Sequence, residues 1–117
     1  RWVGTVGGAG KHALVGGARA VLMPISWDEP GAAAAIEALA CGTPVIATRR
    51  GALPEIIEHG RNGFLADDES QFAQLMPRAG EIDPAACRRS VERWLSAGVM
   101  AEGYLRLYRE VLARTGA

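Results

Sequence analysis

Short apolar runs alternate along this chain with longer stretches in which apolar residues recur every three or four positions. That alternation predicts an α/β fold with a parallel sheet, not a sandwich or a helical bundle. Ala20 to Met23 is a continuous apolar run stopped by Pro24, the form of a central parallel strand covered on both faces. Val45 to Thr48 repeats the form, and Phe64 to Ala66 is a shorter version. Trp2 to Val6 predicts a further strand ahead of Gly7, Gly8 and Gly10, for a sheet of about four strands.

The helical period fills the intervals. Lys11 to Ala20 places Leu14, Val15 and Ala18 on one face, weakened by Gly16 and Gly17. Ala32 to Cys41 is Ala-rich and ends at Gly42 and Pro44, the order that terminates helices. Leu53 to His59 carries Pro54 in its first turn, where a missing N–H costs nothing. From Ser70 onward the pattern is helical, with breaks at 77–80 and 96–98 and with Asp83 as the N-cap of a helix starting at Pro84. The last helix, over 99–114, lines up Met100, Tyr104, Leu107, Tyr108, Val111 and Leu112 on one stripe and therefore needs a partner surface.

Composition narrows the class without changing the picture. A length of 117 residues suits one domain, spanning 1–117, with a real core. Thirteen basic side chains balance thirteen acidic ones and are scattered, so no electrostatic footprint for a nucleic acid or an anionic membrane is present. No apolar run reaches the roughly 20 residues of a spanning helix, and a cytoplasmic location is the expectation. Cys41 and Cys87 are far apart in apolar surroundings and read as buried thiols. His12 and His59 lack any metal-ligand spacing, so no metal is expected. The chain opens on Arg1 directly before a strand-like run, which suggests a piece of something longer.

Candidate chemistry concentrates between Glu29 and Glu37. Glu29 lies in the loop after the run ending at Pro24, and Glu37 eight residues later on the following helix, so both belong to the C-terminal edge of the sheet, where open α/β sheets bind ligands. That helix begins near Gly31, where unpaired amides and the positive end of the helix dipole attract phosphate or sugar oxygens. A carboxylate on the second turn, as Glu37 would be, can accept hydrogen bonds from the vicinal hydroxyls of a ribose. The plainer alternative is that Glu29 only favours the helix N-terminus electrostatically and that Glu37 is a solvated helix residue.

The stretch as a whole resembles the family 4 (group 1) glycosyltransferases. Glu29-Pro30 followed by Glu37-Ala38-Leu39-Ala40-Cys41-Gly42-Thr43-Pro44-Val45-Ile46-Ala47 looks like that family's E-x7-E signature and its flanking segment. Gly51-Ala52-Leu53-Pro54-Glu55-Ile56-Ile57 and Gly60-Arg61-Asn62-Gly63-Phe64-Leu65 resemble its next two blocks, and Trp94-Leu95-Ser96 with Met100, Tyr104 and Tyr108 its ending. The resemblance implies the Rossmann-like, C-terminal donor domain of a two-domain GT-B enzyme that transfers a hexose with retention. It implies a nucleoside diphosphate sugar as donor and no cofactor or metal. Glu29 would act beside the donor hexose as the catalytic carboxylate, the backbone of Gly31, Ala32 and Ala33 would meet sugar or phosphate, and Glu37 would hold the ribose. Val6 and Lys11 fall where the family has the loop beside the nucleotide base.

The chain departs from the family's E-x-F-G-L pattern, because Pro30 is followed by Gly31, Ala32, Ala33, Ala34 and Ala35. The Arg and Lys that neutralise the family's diphosphate leaving group belong to a segment preceding this one. So does the N-terminal domain that binds the acceptor, a sugar or lipid. The chain alone is therefore expected to be inactive, and a non-catalytic nucleotide-binding or interaction module is the alternative reading. A sheet lacking its first two strands leaves an edge bare, so Val3 to Val6 is expected to pair beside Ala20 to Met23, or two copies of the chain to pair across that edge as a homodimer.

Overall fold

The structure, a computed structural model, describes residues 1–116 and is a Rossmann-like α/β domain. In chain order it comprises α1 (Gly8–Gly16), β1 (Val21–Met23), α2 (Ala33–Ala40), β2 (Val45–Thr48), α3 (Leu53–Ile56), β3 (Gly63–Ala66) and α4 (Glu69–Leu75). A 3-10 turn (Met76–Glu81), α5 (Pro84–Ser90), a π-helical turn (Val91–Leu95) and α6 (Ala97–Thr115) follow. The three strands pair in parallel in the order β1-β2-β3, with Val21 opposite Val45 and Val45 opposite Gly63.

Two expectations about the sheet need correction. Residues 1–7 form no strand: Gly4 takes a φ of 76°, a left-handed turn incompatible with extended pairing, and Trp2 and Val3 are exposed. Val3 to Val6 therefore does not pair with β1, and the described sheet has three strands where four were expected. Nor is β1 central. It lies at an edge of the sheet and Leu22 is 43% exposed, while β2 takes the middle with Val45, Ile46 and Ala47 wholly buried. An unbroken apolar run marks a strand meant to be covered, but does not say which neighbour covers it.

The helices follow local rules. Alanine favours the helix, and the small Ala35 and Ala38 with Leu39 bury one face of α2 completely. Its end is a Schellman closure: Gly42, at φ 78°, donates to the carbonyl of Leu39 and Thr43 to that of Ala38, both at 2.9 Å. Asp68, Asp83 and Ser96 cap α4, α5 and α6 by accepting from the amides of Gln71, Ala85 and Val99. α3 stops four residues in because Ile57 turns extended. α6 buries no residue; its apolar stripe, Met100, Tyr104, Leu107, Tyr108, Val111 and Leu112, faces outward.

Beneath α5 a polar plug closes the core. Asn62 is fully buried; its Oδ1 accepts from the Glu58 amide at 2.8 Å, and its Nδ2 donates to the Ile56 carbonyl and the Ser90 hydroxyl, both at 3.1 Å. Cys87, also buried, directs its thiol to the Asn62 carbonyl. Burial pushes that thiol up to about 11, with the Asp83 carboxylate acting in the same direction, so it stays protonated at neutral pH. Cys41 is half-buried and likewise free.

Candidate functional site

Parallel strands bring their C-terminal ends to one edge, and the loops leaving β1 and β2 meet there. The Thr48 hydroxyl, at the end of β2, donates to the Ile25 carbonyl at 2.7 Å and holds the first turn of the chain beyond β1. Three residues later Gly51 donates to Asp28 Oδ1 at 3.3 Å and Ala52 to the Glu29 carbonyl at 2.8 Å. Gly51 sits at φ 54°, and a Cβ on it would collide with the backbone of Asp28 and Glu29. The backbone of Glu29 is thus set by a loop that arrives more than twenty residues later.

The Glu29 side chain turns back on the helix it precedes. Trp27 Nε1 donates to Oε2 at 3.0 Å, and the amides of Ala32 and Gly31 donate to Oε1 at 3.4 and 3.5 Å. These donors, the indole first, lower the carboxyl below the ordinary glutamate value, so Glu29 is a carboxylate at neutral pH. It accepts hydrogen bonds and balances positive charge but has no proton to give.

Ala32 explains the departure from glycine in this loop. It holds φ 43°, ψ 47°, the left-handed conformation, and is the one non-glycine residue with positive φ among those described. Glycine would relieve roughly 1–2 kcal/mol of strain there. It would also lose about 0.8 kcal/mol from a methyl that is 96% buried and add roughly 0.5–1 kcal/mol of unfolded-chain entropy. The three nearly cancel, so Ala32→Gly is expected to shift stability by less than about 1 kcal/mol in urea unfolding. A larger loss would show that the methyl, not the strain, dominates.

Lys11 and Glu37 are brought together. The last turn of α1 abuts the end of α2, where Thr43 donates to the Val15 carbonyl at 2.7 Å and Gly16 faces Cys41. That seating places Lys11 Nζ 2.7 Å from Glu37 Oε2, in a half-exposed pair. Glu37 stands on the second turn of α2, and Glu29 accepts from the amide of Ala32, the residue just ahead of that helix. Of the other sequence-derived candidates, Gly31 and Ala32 are in this arrangement through their amides. The Ala33 amide has no hydrogen-bond partner among the described residues, and Val6 lies in the loop ahead of α1 outside these bonds. The sequence does not mark Trp27, Asp28 and Thr48 as site residues: the partners of Asp28 and Thr48 lie in other loops, and Trp27, whose partner Glu29 is two residues away, carries no periodic signal. No three His, Cys, Asp or Glu side chains gather into a metal-binding group among the described residues, and no described helix is long and apolar enough to cross a membrane.

The family model "Glycosyl transferases group 1" matches residues 1–81, which include every element of the edge just described. A D-inositol 3-phosphate glycosyltransferase of Arthrobacter sp. is 52% identical over 84 residues, covering 72% of this chain and 19% of that protein. Another of the same name, from Pseudarthrobacter chlorophenolicus, is 55% identical over 47 residues, 40% of this chain and 11% of its own. Spore coat protein SA of Bacillus subtilis is 39% identical over 56 residues, 48% of this chain and 15% of that protein. The chain thus spans less than a fifth of the length of these relatives. With its match covering more than half of the residues, the chain belongs to the group 1 glycosyltransferases.

Proposed function

We propose that this chain is the donor-binding part of a retaining glycosyltransferase whose donor is a nucleoside diphosphate sugar. The observation that carries the reading is the sharing of one helix end. Glu29 accepts from the amides of Gly31 and Ala32 just ahead of α2, Glu37 stands on the second turn of that helix, and Lys11 reaches Glu37 from α1. In this reading Glu29 faces the hexose and, being ionised, accepts from its hydroxyls and balances positive charge at the anomeric carbon. The bonds from Gly31 and Ala32 to Glu29 are long, so sugar or phosphate oxygens compete for those amides and for the free amide of Ala33.

Glu37 takes the ribose hydroxyls. Its exposed pair with Lys11 is worth only about 0.2–1 kcal/mol, so a ribose displaces it readily and leaves Lys11 beside the nucleotide. The cations for the leaving diphosphate, and the domain that presents a sugar or lipid acceptor, belong to the parent protein. The chain alone then binds donor without turning it over. The unpaired side of β1 is where further strands of the parent sheet, or a second copy, would add.

Calorimetric titration of UDP-, GDP- and ADP-hexoses into this chain and into Glu37→Ala tests the assignment. The variant is expected to bind about tenfold more weakly, through loss of charge-assisted hydrogen bonds to the ribose. Equal affinity in the variant would remove Glu37 from the ribose. Absence of binding by this chain and by the full-length parent alike would favour a non-catalytic interaction module.

A further inference from the structure

We propose that the groove between the loop entering β3 and the α5–π-turn segment is a second binding site, for a phosphate-bearing sugar. It has a volume of about 650 Å³ and is lined by Glu58, Arg61, Arg89, Glu92, Arg93 and Trp94, with Ser90 in its floor. The loop entering β3 lies at the edge where the strands begin, opposite the edge that holds Glu29. The site is therefore independent of the donor reading.

Its two walls are joined through the floor. The buried bond from Asn62 to Ser90 fixes the loop to α5, and the groove arginines are the residues just before each of them, Arg61 and Arg89. Both guanidiniums have donors to spare, since each makes a single exposed contact at 3.5 Å, to Glu58 and to Asp83 respectively. The third, Arg93, lies 5.9 Å over the Trp94 ring, which is 63% exposed. Arg93 and Trp94 stand on a π-helical turn, a distortion that proteins keep mostly at functional sites.

The chemistry of the lining selects the ligand class. Three guanidiniums suit a phosphate dianion, which binds them through charge-assisted hydrogen bonds. Glu58 and Glu92 in the same lining repel a simple polyanion but accept from hydroxyls. The exposed indole offers a flat apolar platform for a ring face. A phosphorylated sugar satisfies all three groups together.

Titrating glucose 6-phosphate, inorganic phosphate and glucose into isotope-labelled chain, while following the Trp94 indole N–H resonance assigned by its loss in Trp94→Phe, tests the site. Glucose 6-phosphate is expected to shift that resonance saturably and more tightly than inorganic phosphate, with glucose far weaker. Arg89→Gln and Arg93→Gln should each weaken binding about tenfold, and Glu37→Ala should leave it unchanged. These arginines are exposed, so loss of binding is not loss of fold, and an unchanged melting temperature verifies that. No saturable shift, an equal response to inorganic phosphate or glucose, or indifference to both arginine variants would overturn the proposal.

Discussion

Asn62→Ala is expected to lose about 3–4 kcal/mol of folding stability, measured as a lower urea midpoint with an unchanged slope. The side chain is wholly buried and satisfies three groups at once: the Glu58 amide, the Ile56 carbonyl and the Ser90 hydroxyl. Alanine leaves the first two without a partner inside the protein, and each orphaned buried group costs roughly 1–3 kcal/mol. Ser90 is hurt less, because its hydroxyl still donates to the Cys87 carbonyl at 2.7 Å. Domains of this size hold about 5–15 kcal/mol in total, so the variant approaches the limit of folding. Asn62→Asp should recover little, since it keeps the acceptor for Glu58 but offers no donor to Ile56 and Ser90. A loss under about 1 kcal/mol would mean that solvent reaches the site and replaces the amide.

The sequence made most elements visible because their signals are local. The closure of α2 at Gly42, the cap at Asp83 and the buried run of β2 each depend on residues within a few positions of one another. The apolar face of α6 was legible for the same reason, and the structure leaves it uncovered. What depends on distant partners was not visible. Val3 and Val6 look like a strand by composition, yet Gly4 turns the chain between them. β1 reads as central because its residues are suited to burial on both faces, but the described sheet gives it one neighbour.

The candidate site divides in the same way. Glu29 and Glu37 announce themselves by spacing, and Lys11 only through the resemblance to the family. Their actual partners follow from tertiary contacts: Lys11 meets Glu37 because Thr43 seats α1, and Glu29 meets the amides of Gly31 and Ala32 because the β2 loop fixes its backbone. The plainer alternative for Glu29 is electrostatic, and the carboxylate does sit at the N-terminal end of α2, bonded to the amides of Gly31 and Ala32 ahead of the helix. That placement is compatible with a role toward a ligand, since these long hydrogen bonds are ones an incoming oxygen can replace. Trp27 escaped notice because a lone tryptophan in a loop carries no periodic signal, although its indole contributes most to keeping Glu29 ionised.

Gly51→Ala should therefore disturb Glu29 more than any change on the Glu29 loop itself. The alanine must adopt φ near 54°, costing roughly 1–2 kcal/mol, and its Cβ meets backbone atoms of Asp28 and Glu29 that no side-chain rotation can clear. The two loops must separate, breaking the bonds from Gly51 to Asp28 and from Ala52 to the Glu29 carbonyl, for an expected loss of about 2–4 kcal/mol. The local effect is readable without any donor. In the native chain the Trp27 indole N–H reports the Glu29 carboxylate and should titrate below the ordinary glutamate range, because the folded state holds that carboxyl down. The sign follows by linkage: a depressed carboxyl stabilises the loop above the unfolded glutamate value and loses that contribution as pH falls through the lower, folded one. In Gly51→Ala the titration should move up toward the ordinary value, and donor affinity should fall at least as far as in Glu37→Ala. An unmoved Trp27 titration would show that Glu29 is held by its own loop alone and that the β2 loop does not position it.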